Sequence, residues 1–380
     1  PACVLASLTA ASFALPLLRV WPVVRYLLLH GSSILAMPRS CPCPAGAAAA
    51  SAGSRSRHAI AMLVQKENSS DVASAIANLQ DLYNNCFRKD VHVFHTGGIP
   101  RGLQDFVVKV QPLVHFHLLR PGPHWRPAPQ GLKAAKPDPQ ASLRYGAARW
   151  HSLGVVDALA DLGYEWVMRW DASSWLMSCV TSDPFLELES RGLSHGHRVG
   201  RTLPRESVRG LPYSLKELAA RQGTALPPRL LARFGGKEPH ADTWDRYVED
   251  TSGSITRISF WKEPEVRSWL ESVDAAGLAY HGPVQEAALL SLARARFARE
   301  DPLELRGWSF VRSGEVGVAP GALLPWPLRL LLPSDAEWRV SSNDLVQDPR
   351  YAAEVEWAWG TVLRPMIRRD YWVFRFLKYL

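Results

Sequence analysis

Apolar positions recur along this chain in two spacings, and the alternation between them predicts an α/β fold. A continuous apolar block, Ala59 to Val64, has the length of a buried strand. The polar stretch Lys66 to Asp71 follows, with Ser69, Ser70 or Asp71 placed to cap a helix. From Val72 to Phe87, the residues Val72, Ile76, Leu79, Tyr83 and Cys86 fall on one helical face, and Val91 to His95 is a second strand-like block. Strand, helix and strand in so short a span form a βαβ unit, which makes the first two strands parallel. A third strand is predicted at Leu113 to Leu118 and a Pro-rich loop at Pro121 to Pro139. A helix from Ala148 to Leu162, closed by Gly163, then feeds a strand, Trp166 to Trp170, that runs directly into Asp171.

After Ser182-Asp-Pro-Phe185 the periodicity weakens. Arg198 to Arg209 reads as a basic loop, and residues 223–243 as another through their Gly and Pro content. A strand is predicted at Ser254 to Trp261, then helices at Glu263 to Ala276 and Val284 to Phe297. At the other end, Cys3 to Leu18 is uncharged and mostly apolar, and the run continues past Arg19 and Arg25 to Leu29. Acids are absent until Glu67. Residues 1–29 therefore read as a signal-anchor, a secretory signal or a transit peptide, interrupted by Pro16 and Pro22. The opening at Pro1 rather than Met suggests a truncated or processed form. Residues 30–57 read as a low-complexity stalk, 58–315 as one globular α/β domain, and 316–380 as a Trp- and Pro-rich extension.

Composition adds little to the fold but narrows the partners. The formal charge of +8 is spread over scattered arginines, with no Lys/Arg block of the kind that binds nucleic acid. A basic surface still attracts small anions such as nucleoside diphosphates. The 15 tryptophans suit either core filling or sugar platforms. Of the five cysteines, Cys41-Pro-Cys43 lacks zinc-ligand spacing, and Cys86 and Cys179 read as small core residues, so no disulfide is demanded.

The candidate chemistry centres on Asp171. In open α/β sheets, ligands bind beyond the carboxyl ends of the strands. A carboxylate there can hold a divalent cation against a diphosphate, although an Asp also commonly starts a turn. Ser173, where a second acid is wanted, offers a hydroxyl of lower charge. Glu286 opens the predicted helix after Gly282-Pro283, where it either complements the helix dipole or binds and deprotonates an acceptor hydroxyl. Arg149 and Arg169 are candidates to grip a diphosphate by bidentate hydrogen bonds. His115, His117, His124, His151, His195 and His197 invite a metal reading, but the pairs His115/His117 and His195/His197 lack a Cys or third His to complete a zinc set.

Several segments together resemble the glycolipid 2-α-mannosyltransferase family, the fungal-type α-1,2-mannosyltransferases. They are Ala61-Met-Leu-Val64 with the helix to Asn84-Asn-Cys-Phe87, Val114-His-Phe116 with Pro123-His-Trp125, Arg149-Trp150, Tyr164 through Asp171, and Ser182-Asp-Pro-Phe185. Phe260 to Phe297 follows, with Asp274-Ala-Ala-Gly277 and Gln285-Glu-Ala287 at matching places, so the likeness spans residues 58–312. The chain also departs from the family's pattern. The acid-x-acid motif is Asp171-Ala-Ser173, the Asn-Phe-Glu segment with the proposed catalytic glutamate falls on Ser252-Gly-Ser254, and Trp-Gly-Asp falls on Val284-Gln-Glu286. A late metal-binding His has no counterpart near Gly317.

The resemblance implies a GT-A-like fold, a Rossmann-like mixed sheet flanked by helices in a single catalytic-type domain. It implies transfer of mannose from GDP-mannose to a glycan or glycoconjugate hydroxyl, with Mn2+ or Mg2+ at Asp171 and Ser173, Glu286 catalytic, and Arg149 and Arg169 on the donor. It also implies a type II Golgi membrane protein with a lumenal domain, an organellar transit peptide being the alternative. The departures imply a second reading, a catalytically impaired protein of the same fold that binds glycans or a partner enzyme.

Overall fold

The computed structural model describes residues 41–44, 57–65, 69–122, 124–125, 145–172, 174–176, 179–198, 200–203, 205–208, 210–223, 225–240, 242–249, 251–277, 286–305, 310–312 and 315–317. The expected targeting segment, most of the expected stalk and the C-terminal extension beyond Gly317 lie outside these residues.

The first strand, β1 (His58–Val64), is buried along its whole length. Its side chains alternate between two cores: Ala59, Ala61 and Leu63 join one, and Ile60, Met62 and Val64 the other. That division follows from the two-residue period of a strand and marks β1 as covered on both faces. Helix α1 (Ser69–Leu79) continues through a π turn at Gln80–Asn84 to Phe87, and packs Val72, Ile76, Leu79 and Tyr83 on the second core. Strand β2 (Asp90–His95) pairs in parallel with β1, as the βαβ reading requires.

Helix α2 (Arg101–Val110) then intervenes before β3 (Val114–Leu118), where no helix is expected from sequence. It is amphipathic, with Val107 buried and Leu103 packed against the second core, while Phe106 and Val108 are exposed. A π turn at Trp150–Gly154 leads into α3 (Val155–Asp161), which delivers the chain to β4 (Trp166–Arg169). Gly154 is required there: a Cβ would lie 2.3 Å from the His124 carbonyl oxygen.

The region past Phe185 is more regular than its sequence suggests. After β5 (Ser174–Leu176) come α4 (Pro184–Ser190), β6 (His195–His197), β7 (Gly200–Thr202), α5 (Leu211–Gln222) and α6 (Pro228–Ala232). The expected basic loop at 198–209 thus contains a strand, and the expected loop at 223–243 a short helix. Next are β8 (Tyr247–Glu249) and β9 (Ile255–Arg257). The expected strand from Ser254 to Trp261 ends at Arg257, where α7 (Ile258–Lys262) begins. Ile258, Phe260 and Trp261 are all buried, and an unbroken apolar run does not distinguish a strand from a buried helix. Helices α8 (Pro264–Ala275) and α9 (Glu286–Phe297) and strands β10 (Leu303–Glu304), β11 (Phe310–Arg312) and β12 (Glu315–Gly317) complete the described chain.

The main sheet has the order β10-β6-β9-β4-β1-β2-β3. Its strands β4, β1, β2 and β3 run parallel, and β9 is antiparallel to both β4 and β6. A mixed seven-stranded sheet with helices on both faces is the α/β architecture expected from the chain pattern.

Cysteine pairing differs from expectation. Cys41 bonds Cys179, and Cys43 bonds Cys86. Cys86 and Cys179 are therefore not simply small core residues, and Cys41–Pro44, within the expected stalk, is tied covalently to the domain.

Candidate functional site

The site lies at the carboxyl end of β4. Along this strand Trp166, Met168 and Trp170 pack into one core while Val167 belongs to the other. By the same alternation Arg169 and Asp171 share the face of Val167. Arg169 donates from Nε to Asp171 Oδ1 at 3.1 Å. Its Nη1 makes a close ion pair with Glu286 Oε1. Glu286 opens α9, which packs over this face, and His151 Nε2 approaches its other oxygen at 4.0 Å. Thr251 Oγ1 donates to Glu286 Oε1 at 3.3 Å.

A tight turn between β8 and β9 closes the cluster. Gly253 takes φ +72°, in the left-handed region that favours glycine, and its N–H donates to the Arg169 carbonyl at 2.7 Å. The Asp171 N–H lies 3.4 Å from Ser252 Oγ, which also bonds Ser174 Oγ at 2.7 Å. Ser254 Oγ donates to the Thr251 carbonyl at 2.7 Å. These serines stand where the resemblance places the catalytic acid. Ser252 and Ser254 instead brace the turn.

Electrostatics follow from this geometry. Burial pushes the Glu286 carboxyl up, but the charges of Arg169 and His151 outweigh it and hold the group below its ordinary value. Glu286 is therefore ionised at neutral pH. It is a weak base, suited to accepting hydrogen bonds rather than removing protons.

Sequence reasoning thus named three residues that the fold brings together: Arg169, Asp171 and Glu286. Arg149 is placed otherwise. It is buried, with Nε 3.1 Å from Asp274 Oδ2 and Nη1 3.2 Å from the His124 carbonyl, and Tyr145 OH donates to the same Asp274 at 2.5 Å. This knot braces the start of the α3 region against α8, so Arg149 is committed to structure rather than poised for a diphosphate. Ser173 lies outside the described residues. His151 was singled out only as a candidate metal ligand and Thr251 not at all, because their approach to Glu286 is purely tertiary.

The described residues of the cluster do not leave a carboxylate open for a divalent cation. A hard cation held against a diphosphate needs one or two protein carboxylates that are free to reach it, with water and phosphate filling the other positions. Among the described residues, Asp171 and Glu286 are the acids at this cluster, and both already face the Arg169 guanidinium. Among the described residues no group of three or more His, Cys, Asp or Glu could hold a metal ion.

The expected histidine pairs are also accounted for. His92 Nδ1 and His117 Nε2 are 2.9 Å apart and share a proton, while His115 Nε2 lies 3.6 Å from Asp90 Oδ1. His195 and His197 are buried, and burial drives His197 down to about 3, so both rings stay neutral. A cavity of about 250 Å3 lined by His195, Glu249 and Arg294 lies toward the other end of α9. Arg294 is eight residues past Glu286, or roughly 12 Å along a helix, so this cavity is separate from the cluster.

No protein-family model matches the sequence, and no curated protein matches it. Solved structures do. The chain is similar to core-mannan synthase A (CmsA/Ktr4) from Aspergillus fumigatus in its Mn/GDP form, with a TM-score of 0.60 at 16% identity over 71% of this chain and 82% of that one. The mannosyltransferase Ktr4p from S. cerevisiae matches with a TM-score of 0.60 at 14% identity over 72% of this chain and 77% of that one. Its complex with GDP matches at 0.58 with the same identity and coverage. At such low identity the likeness concerns architecture, and the chain has the GT-A fold of these glycosyltransferases.

Proposed function

We propose that this protein is a glycosyltransferase that takes mannose from GDP-mannose and passes it to a hydroxyl of a glycan or glycoconjugate, forming an α-1,2 linkage. The observation that carries the reading is the Arg169–Asp171–Glu286 cluster, set at the strand end where open α/β sheets bind ligands. Two of the matching structures hold GDP, which supports a guanine nucleotide as the carrier. In this reading the Arg169 guanidinium faces the diphosphate and stabilises the charge that develops as it leaves. Asp171 orients that guanidinium, and Glu286 accepts a hydrogen bond from the incoming hydroxyl. The manganese implied by the resemblance is not carried over, because the donor set does not fit it.

A lumenal Golgi protein of type II orientation is consistent with this chemistry. Two disulfides are typical of an oxidising compartment. No helix among the described residues is long and apolar enough to cross a membrane, and residues 1–29, where the anchor would lie, are outside them.

The test is transfer. Full-length protein incubated with GDP-mannose and a panel of mannosides should yield acceptors heavier by one hexose, and an α-1,2-specific mannosidase should remove it. Transfer from another nucleotide sugar alone would overturn the donor assignment.

A second reading rests on Ser252 and Ser254, whose hydroxyls brace a turn where the resemblance expects a catalytic glutamate. Here the protein binds a glycan or a partner enzyme without catalysis. Glycan binding by calorimetry, with no transfer under any donor, would favour it.

A further inference from the structure

We propose that Arg169 is the resident cation of this site, and that the diphosphate is held by its guanidinium with no divalent metal. The inference rests on the nucleotide-sugar reading for the identity of the anion, but its geometric half stands alone. Arg169 lies between two carboxylates, donating through Nε to Asp171 at 3.1 Å and pairing through Nη1 with Glu286. A bridging cation would take that place between two acids. Here the positive charge is covalently attached to β4.

Two further observations point the same way. The side chains of Arg169, Asp171 and Glu286 are 14%, 15% and 16% exposed, so the guanidinium is packed into the site rather than laid across its surface. A metal reaching either carboxylate would have to displace it or sit beside a like charge, which costs more in a partly buried site than in water. Among the described residues of the neighbouring turn, the hydroxyls of Ser252 and Ser254 are already engaged, with Ser174 and the Thr251 carbonyl.

A guanidinium can also do the work. Its donors form a planar fork matched to phosphate oxygens, so Arg169 can exchange one carboxylate for a phosphate and remain oriented by the other. It brings one positive charge where a divalent ion brings two. The chain should therefore bind nucleoside diphosphate without metal, and more weakly than a site that uses one.

The probes are Mn2+ alone and GDP alone, used on the full chain. Electron paramagnetic resonance should show no stoichiometric Mn2+ binding at micromolar metal. Calorimetric GDP affinity should change less than twofold when EDTA replaces Mn2+. Arg169→Ala should uncover Asp171 and Glu286 and raise Mn2+ affinity at least tenfold, whereas Arg169→Lys should still exclude the metal. Stoichiometric Mn2+ binding to the unaltered chain would overturn the proposal, as would GDP binding that EDTA abolishes. So would a folded Arg169→Ala that gains no Mn2+. If the alanine variant does not fold, the unaltered chain and Arg169→Lys still decide the matter. If GDP fails to bind under every condition, the nucleotide reading fails, while the Mn2+ titrations still show whether Arg169 excludes the metal.

Discussion

Arg169 and Asp171 stand two residues apart on one face of β4 and meet through Nε and Oδ1 at 3.1 Å. The contact turns a residue expected to bind metal into one that aims an arginine. Asp171→Ala should then weaken GDP binding by about tenfold through loss of that aim, or about 1.4 kcal/mol. Asp171→Asn should cost less, because its amide oxygen still accepts from Nε. Calorimetry on the two variants checks the order, and equal losses would contradict it.

Buried histidines should make the fold acid-sensitive. Burial, reinforced by His117 and His115, lowers His92 from 6.5 to about 3, and burial with Arg294 and Arg198 does the same to His197. The folded state thus disfavours the protonated ring, so their stability is fully present above pH 6.5 and drains away as pH falls toward 3. At a pH of about 5 each should have cost roughly 2 kcal/mol. Chemical denaturation across this range should show the decline, and His92→Phe should flatten it. A stability flat from neutrality down to the carboxylate range would contradict the assignment.

Beneath the site, Lys89 is wholly buried against Asp183 Oδ2 at 2.8 Å and His58 Nδ1 at 3.0 Å. Lysine can only donate, so His58 Nδ1 accepts and its Nε2–H reaches Glu189 at 3.1 Å. Asp183 also caps α4 by accepting from the Phe185 N–H. Lys89→Met should therefore cost about 3–5 kcal/mol, because it strands a buried carboxylate. Adding Asp183→Asn should recover about 1–2 kcal/mol while keeping the cap. Urea midpoints of the single and double variants test this, and a double variant worse than the single would count against it.

Peptide mapping under non-reducing conditions should find Cys41 joined to Cys179 and Cys43 to Cys86. The first bridge spans 138 residues, and its loss in Cys179→Ser should lower stability by about 2–4 kcal/mol. Free thiols at these positions, or a Cys43–Cys179 product, would refute the pairing.

Much of the scaffold was legible because β1 and β4 are short apolar blocks set between helical patterns, and Asp171 was legible because it follows the second of them. The Arg169–Glu286 contact was hidden, since nothing local tells that α9 returns over β4. Helix α2 was missed despite its amphipathic pattern, and α7 was missed because buried apolar runs look alike in strand and helix. The disulfides were hidden too, since sequence does not determine which cysteines pair. The pairing of the expected metal ligand Asp171 was hidden as well, although its partner of opposite charge, Arg169, stands only two residues away.

The most direct measurement is a calorimetric titration of the full chain with GDP in EDTA, repeated on Arg169→Ala and Arg169→Lys. The account predicts measurable binding to the unaltered protein, at least a tenfold loss in the alanine variant, and a smaller loss in the lysine variant. No binding, or binding indifferent to Arg169, would contradict it.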